Sequence, residues 1–373
     1  MVRIGFVIRG TGGDSKYYTP NIKWFVDLSY GLRSIEVDSI IYLHDTEIHL
    51  LEKIRQVTKG LVPIELYNEK SFDSVVTTDP PDYVVIDDNN SHMQMLLHLN
   101  SPKIKKVVFT EYLYGVNTNK RQKRNRSFAL QMGSFLPWRL VTSRYRSLLN
   151  KFDFIIANSQ TCRYLLDKFY DLTVAGVVYS PVGIDMREII TPHERKIDKQ
   201  GVLVFVGNIQ NDYFSRDLPY EINSLINESR MPVKLWGSGN DTARYFKERG
   251  YEIYSNIPVN DLTKLIENSE FTYVPTAYEL FGLVGAESLL IGTPVILDSY
   301  HPFLELFPMW TRAVKISNPS RKISEQIIEM KETDIDIKTA SKAIWDRYSA
   351  EESAVSLLES LNISIGAKDH KVS

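Results

Sequence analysis

Two glutamates in the second half of the chain, Glu279 and Glu287, stand on either side of a predicted helix start. The stretch from Phe271 to Ile296 is typical of a strand, a short loop, a helix beginning near Phe281, a glycine stop and a second strand. The glutamates are eight positions apart. Glu279 is therefore expected in the loop before the helix, and Glu287 two turns inside it.

The start of this helix has the features of an anion site. The backbone N–H groups near Phe281, Gly282 and Leu283 lack partners within the helix, and the helix dipole favours negative charge there. Gly282 allows a phosphate to approach the backbone closely. Carboxylates on both sides of a diphosphate can bind sugar hydroxyls, Glu279 those of a donor sugar and Glu287 those of a ribose.

Apolar β-branched runs alternate with helical stretches along the chain, which predicts parallel sheets covered on both faces. Two such series predict two Rossmann-like domains, 1–185 and 186–340, followed by a C-terminal segment, 341–373. A final helix is predicted from Ala340 to Leu361. The predicted strands are Ile4–Ile8, Ile40–Leu43, Val62–Leu66, Tyr83–Ile86, Lys106–Phe109, Phe154–Ala157, Ala175–Tyr179, Val202–Val206, Val233–Trp236, Glu252–Tyr254, Phe271–Val274, Pro294–Leu297 and Ala313–Ile316.

Composition excludes several classes of protein. The 373 residues suffice for two domains. The net charge of −2 lacks the overall positive charge that is typical of nucleic-acid-binding proteins. One cysteine, Cys162, excludes an internal disulfide and clustered-cysteine zinc sites. The first residues resemble a strand and not a signal peptide, and no apolar run approaches the ~20 residues of a membrane span. A cytoplasmic protein is expected.

The chain resembles the retaining GT-B glycosyltransferases of the group that includes α-mannosyltransferases and sucrose-phosphate synthase-like enzymes. Its signature is a Glu, seven residues and a second Glu, followed by Gly-Thr-Pro-Val, matched here by Glu279, Glu287 and Gly292–Val295. Phe154–Ser159 and Val182–Asp185 resemble segments of the family's first domain and its interdomain connection. Val204–Gly207 and Leu235–Gly239 resemble the glycine turns of its nucleotide-binding domain.

The resemblance implies two facing Rossmann-like domains, a final helix that returns to the first, and sugar transfer from a UDP- or GDP-linked donor without a metal or other cofactor. It places the donor phosphates against Gly12 and Gly13 as well as Gly207. An ordinary strand-to-helix turn is the alternative for the amino-terminal glycines. The acceptor, whether a glycan, a lipid-linked molecule or a protein, is not identified.

Two departures from the family pattern concern charge. The family has Arg and then Lys after its Val-Gly turn, whereas Arg216 is the first basic residue after Gly207. Arg216 either reaches the phosphates from a longer loop or is solvated. Glu111 occupies the place of a family histidine near the donor sugar, where it either orients an acceptor hydroxyl or faces water. The seven histidines of this chain form no His-x-x-x-His pair and are expected to be structural or on the surface.

The stretch from Lys120 to Lys151 is rich in arginine and lysine, with aromatic residues such as Phe135 and Trp138 between them. A solvated face, a pocket for a phosphorylated or lipid-linked acceptor, and an interfacial element on anionic lipid are the three alternatives. The third predicts peripheral membrane binding through residues 120–139.

Three functions fit these patterns. The first is an active retaining transferase with Glu279 and Glu111 at the reacting sugar. The second is another GT-B enzyme, such as a sugar-nucleotide epimerase or a phosphorylase. The third is a non-catalytic GT-B subunit that binds a partner or a membrane, which the missing Arg/Lys pair motivates.

Overall fold

The computed structural model of the protein describes residues 2–9, 20–110, 138–183, 199–207, 217–228, 230–237, 240–255, 257–276, 281–306 and 312–364. The chain divides into two compact units. Unit 1 comprises Met1–Ile184 and Tyr348–Ser373, and unit 2 comprises Asp185–Arg347.

Unit 1 contains a parallel sheet of strands that are mostly buried along their length. Its described strands are β1 (Arg3–Ile8), β2 (Asp38–His44), β3 (Ile64–Tyr67), β4 (Tyr83–Asp87), β5 (Lys105–Thr110), β6 (Phe154–Ala157) and β7 (Gly176–Val177). Their order is β3-β2-β1-β4-β5-β6-β7. Because β1 lies between β2 and β4, the strand order reverses beside β1.

Helices connect these strands, as parallel pairing requires. The described α-helices in the first segment of unit 1 are α1 (Pro20–Ser34), α2 (Leu51–Val57), α3 (Phe72–Thr78), α4 (Asn90–His98), α5 (Trp138–Leu149) and α6 (Gln160–Tyr170). Asp45–Leu50 forms a 3-10 helix. Phe6, Trp24, Phe25 and Phe109 lie in the core, with the Trp24 and Phe109 ring centroids 3.9 Å apart. This core fixes α1 against the sheet.

Unit 2 repeats the pattern with a second parallel sheet. Its described strands are β8 (Val202–Gly207), β9 (Val233–Gly237), β10 (Ile253–Ser255), β11 (Phe271–Val274), β12 (Val295–Leu297) and β13 (Val314–Ile316), in the order β10-β9-β8-β11-β12-β13. Its described α-helices are α7 (Leu218–Asn227), α8 (Asn240–Lys247), α9 (Val259–Glu267), α10 (Leu283–Ile291), α11 (Ile323–Lys331) and α12 (Ile337–Tyr348), and Pro302–Leu306 forms a 3-10 helix. None of the helices in the described ranges is long and apolar enough to span a membrane.

The predicted fold class is confirmed, and each of the thirteen predicted strands corresponds to a strand of the structure. The single final helix predicted from Ala340 to Leu361 is wrong, because the chain there forms α12 and then α13 (Ala350–Ser360). Ser349 is extended, and its side chain accepts a hydrogen bond from the N–H of Glu352. This Ser-x-x-Glu capping pattern begins a new helix and interrupts the continuous one.

Helix α13 packs on α1 within unit 1. A Cβ atom at Gly31 would lie 2.5 Å from the carbonyl carbon of Ala350, so the two helices meet at a distance that a larger residue would prevent. Ala354, Leu357 and Leu358 extend the core of this unit. The chain re-enters unit 1 at Tyr348.

Candidate functional site

The strand order of the second sheet reverses between β8 and β11, which pair directly through Phe271 and Val202. In open α/β sheets the loops diverge at such a point, and ligands bind outside the carboxyl ends of the strands. Strand β8 ends at Gly207, and helix α10 follows the carboxyl end of β11. The predicted anion site at the start of α10 therefore lies at this edge of the sheet.

Gly282 is the N-cap residue of α10 and has left-handed backbone angles, φ 95° and ψ 51°. Its carbonyl accepts the first helical hydrogen bonds, from the N–H groups of Gly285 (3.1 Å) and Ala286 (3.3 Å). No side chain caps the helix. The N–H groups of Leu283 and Val284, in the first turn, are thus positioned to bind an anion. The helix begins where the sequence predicts.

The space beside Gly282 is filled by His301, which follows β12. A Cβ atom at position 282 would overlap His301 Nδ1 and lie 2.9 Å from its Cγ. Both the positive φ and the ring therefore require glycine here. The sequence indicates the close backbone approach, but it does not reveal that an imidazole of the same protein makes it.

His301 is fully buried, and its Nε2 lies 3.2 Å from Thr276 Oγ1. Its Nδ1 is among the buried polar atoms without a hydrogen-bond partner in the described residues. Burial lowers the pKa of His301 to about 3, because a charged imidazolium would lose its hydration. The ring is therefore neutral near pH 7. The sequence carries no signal for this contact, since the position of His301 beside α10 depends on the fold.

The loop after β12 is bonded to both ends of segment 277–280. The hydroxyl of Ser299 donates to the carbonyl of Thr276 (2.7 Å), and the N–H of Phe303 donates to the carbonyl of Phe281 (3.0 Å). The rings of Phe281 and Phe303 also pack edge to face, with centroids 6.4 Å apart. The start of α10 is thus held by a second loop of unit 2.

Glu287 lies in the second turn of α10 and is 8% exposed. A carboxylate is rarely this buried unless hydrogen bonds or ions satisfy it. The helix around it is buried from Gly285 to Ile291. At Gly285 a Cβ atom would lie 2.8 Å from the Phe303 ring, so α10 packs closely on the 3-10 helix. This packing holds Glu287 just over one turn from the helix start at Leu283, where the sequence predicts two turns.

Helix α10 is terminated at Gly292, the first residue of the Gly292–Pro294 segment. Gly292 is left-handed, with φ 91°, and the N–H of Thr293 donates to the carbonyl of Ser288 (2.8 Å). The buried ammonium of Lys199 donates to the carbonyl of Gly292 (2.7 Å) and to Thr293 Oγ1 (3.0 Å). A cation at a helix C-terminus is stabilised by the dipole. No motif in the sequence indicates Lys199, which comes from a distant part of the chain.

Unit 1 places buried ionisable groups at the carboxyl end of β4, beside its own point of strand reversal. His92 Nδ1 lies 2.6 Å from Asp87 Oδ1, and the Tyr145 hydroxyl donates to Asp88 Oδ2 over 2.6 Å. Burial, and then the Asp88 carboxylate, raise the pKa of Tyr145 well above its usual value. His92 was expected to be structural or on the surface, and it is a buried partner of a carboxylate.

The structure describes some of the predicted site residues and not others. Phe281 is buried as a packing residue, and Leu283 is half-buried in the first turn of α10. Gly207 ends β8 and pairs with Gly237. The residues that lie outside the described ranges are Gly12, Gly13, Glu111, Arg216 and Glu279, together with residues 120–137 of the basic stretch. Within the described ranges, no group of three or more His, Cys, Asp or Glu side chains could hold a metal ion.

No protein-family model matches the sequence. An uncharacterized glycosyltransferase of Methanocaldococcus jannaschii is 21% identical over 169 residues, or 41% of this chain and 42% of that protein. The match therefore spans less than half the length of this relative.

Solved structures match nearly the whole chain. The structure of HepE from Anabaena in complex with UDP has a TM-score of 0.63 at 15% identity and covers 97% of this chain and 100% of that chain. The structure of sucrose-phosphate synthase from Thermosynechococcus elongatus has a TM-score of 0.64 at 13% identity. The match covers 97% of this chain and 98% of that chain. These likenesses show the fold, an α/β protein with two parallel Rossmann-like sheets, as in GT-B glycosyltransferases.

Proposed function

We propose that this protein is a retaining glycosyltransferase that takes a sugar from a UDP- or GDP-linked donor. The observation that carries the proposal is the start of α10, where a left-handed glycine presents first-turn N–H groups at the strand reversal of unit 2. A diphosphate suits this position because it is the part of the donor with the most negative charge.

The remaining roles are those that the resemblance to the retaining GT-B group implies. Glu287, just over one turn from the helix start, binds a ribose hydroxyl, and Glu279 binds the donor sugar. Gly12, Gly13 and Gly207 allow close approach to the phosphates, and Arg216 supplies a cation. Unit 1 is assigned the acceptor, with Glu111 orienting its hydroxyl.

Such a reaction needs positioning and charge stabilisation in place of a covalent nucleophile. The nucleoside diphosphate leaves from the face that the acceptor hydroxyl attacks, through a transition state with oxocarbenium character. The amides of Leu283 and Val284 stabilise the charge that develops on the leaving phosphate. Since amides and Arg216 do this work in the proposal, activity is expected without a metal.

The comparisons support the proposal at the level of fold and ligand class. HepE binds UDP, and the Methanocaldococcus relative is described as a glycosyltransferase. At these identities a shared fold does not transfer an activity. The chemical argument therefore depends on the residues of this chain.

The first experiment measures binding of UDP, GDP and ADP to the purified protein by calorimetry, and then donor hydrolysis with the corresponding sugar nucleotides. Saturable binding of one nucleotide and release of its sugar are expected. Binding without hydrolysis or transfer would favour the non-catalytic subunit. No binding of any nucleoside diphosphate would contradict the proposal.

Stereochemistry tests the retaining mechanism separately. Proton NMR of the sugar released at early times reports its anomeric configuration before mutarotation. The configuration of the donor should be kept. Inversion would contradict retention and leave nucleotide-sugar binding in place.

We also propose a cytoplasmic protein with peripheral membrane association through residues 120–139. The basic and aromatic composition of that stretch supports this part of the proposal.

A further inference from the structure

His301 has a buried ring nitrogen, Nδ1, to which the proposed function assigns no role. Buried side-chain nitrogen and oxygen atoms are nearly always hydrogen-bonded in proteins, and an exception calls for an explanation. Nδ1 of His301 is such an exception within the described residues, on a side chain that is 0% exposed. A partner that arrives with a ligand would explain it.

The other ring nitrogen has a partner. Thr276 Oγ1 lies 3.2 Å from Nε2, and either atom can donate. If the threonine hydroxyl donates to Nε2, the single proton of the neutral imidazole resides on Nδ1. The edge of the ring that carries this proton faces Gly282, the N-cap of α10.

We propose that His301 is a ligand-binding residue whose Nδ1–H donates to an oxygen of the anionic group at the start of α10. This inference rests on the proposed function, because it takes the anion to be the diphosphate of a nucleotide. The imidazole then acts beside the N–H groups of Leu283 and Val284.

Three features of the surroundings support this assignment. The Nδ1 edge of the ring lies against Gly282, the residue from which the helix begins. The loop that carries it is fixed to the neighbouring loop by the Ser299 and Phe303 hydrogen bonds, which hold the donor in place before binding. The ring also packs on Phe303, with centroids 6.0 Å apart.

A neutral donor suits a buried position. Protonation of His301 is disfavoured by the loss of hydration alone, with a pKa near 3, so the ring brings no charge that must be desolvated. Binding of the anion would instead satisfy a buried nitrogen that is otherwise unpaired.

Two substitutions distinguish the contributions of the two ring nitrogens of His301. The amide of His301→Asn is short and reaches the place of Nδ1, whereas the longer amide of His301→Gln reaches the place of Nε2. We expect His301→Asn to keep the affinity for UDP or GDP within about threefold, and His301→Gln to lose about tenfold, the value of one neutral hydrogen bond. Thr276→Val, which removes only the Nε2 partner, is the matched control and should cost less than His301→Gln.

The reverse order of affinities would overturn the inference, because it would show that the Thr276 contact is what matters. Equal affinity in His301→Asn, His301→Gln and the unchanged protein would overturn it as well. Thermal melting of each variant identifies any loss of affinity that comes from unfolding.

The unchanged protein provides a test that does not depend on the folding of variants. Nitrogen-15 NMR of the histidine rings, assigned with His301→Asn, should show the proton on Nδ1 and a shift of the Nδ1 signal at saturating UDP or GDP. A proton on Nε2, or no shift on binding, would overturn the inference while the proposed function stands. If no nucleoside diphosphate binds, the proposed function fails, and this inference fails with it.

Discussion

The two sheets reverse their strand order in the same way, but the residues at the two reversal points differ in kind. In unit 1 the carboxyl end of β4 carries side-chain pairs, Asp87 with His92 and Asp88 with Tyr145. In unit 2 the corresponding edge offers backbone N–H groups beside Gly282 and a neutral imidazole.

The difference concerns which ligands each edge can accept. Carboxylates repel phosphate and accept hydrogen bonds from hydroxyl groups, whereas helix amides attract anions. In the proposed function the donor diphosphate therefore belongs to unit 2 and a hydroxyl-bearing acceptor to unit 1. The two units share a fold but carry different groups at the reversal points, because those groups come from the loops and helices that follow the strands.

The largest effect is expected from Gly282→Ala. The left-handed conformation costs an L-residue about 1–2 kcal/mol, and the new Cβ would also overlap His301. Nucleotide binding should be lost, and the free energy of unfolding in urea should fall. Gly250→Ala is the control, because Gly250 has φ 82° but no atom within 4 Å of its Cβ position. If both variants lose the same stability and bind nucleotide equally, the packing of His301 on Gly282 has no importance for the site.

Glu287→Ala should weaken nucleoside diphosphate binding by about 1.5–3 kcal/mol, the value of a hydrogen bond to a charged acceptor. Glu279→Ala should mainly lower kcat. Calorimetry and steady-state kinetics measure the two effects. Glu221→Ala is the control, since Glu221 is also a buried glutamate of unit 2 and accepts from the N–H of Ile323 (3.2 Å). Unchanged nucleotide affinity in Glu287→Ala would remove this residue from the site.

Tyr145→Phe tests whether the two edges are independent. The substitution removes one donor from the buried Asp88 carboxylate, so unfolding free energy should fall by about 1–3 kcal/mol. Affinity for the nucleoside diphosphate should be unchanged, because the variant affects unit 1. A loss of nucleotide affinity in a folded variant would show that the distinction between the edges is wrong.

The smallest effect is expected from the basic segment. If residues 120–139 bind anionic lipid, the protein should sediment with anionic vesicles and not with neutral ones. Salt should release it, since the Debye length falls from ~10 Å at 0.1 M to ~3 Å at 1 M. Neutral substitutions at Arg121, Lys123 and Arg124 should weaken binding at low salt, and Trp138→Ala at all salt concentrations. Equal sedimentation with both vesicle types would exclude an electrostatic contribution.

Local sequence pattern was sufficient for most of the elements. Most of the strands are largely apolar runs, and Gly282 and Gly292 mark the ends of α10 as turn chemistry predicts. The final helix shows the limit of this reasoning, because its apolar spacing continues past Ser349 while the capping side chain divides it. The Ser-x-x-Glu signal was present in the sequence, and the hydrophobic periodicity concealed it.

The sequence by itself determined the two-sheet architecture and the glycine at which α10 begins, because both depend on residues close together in the chain. The tertiary structure decided which side chains lie at the two ends of α10. Lys199 meets Thr293 and His301 meets Gly282 through contacts between separate elements. The neutral state of His301 likewise results from burial, which is a property of the folded surroundings and not of the residue type.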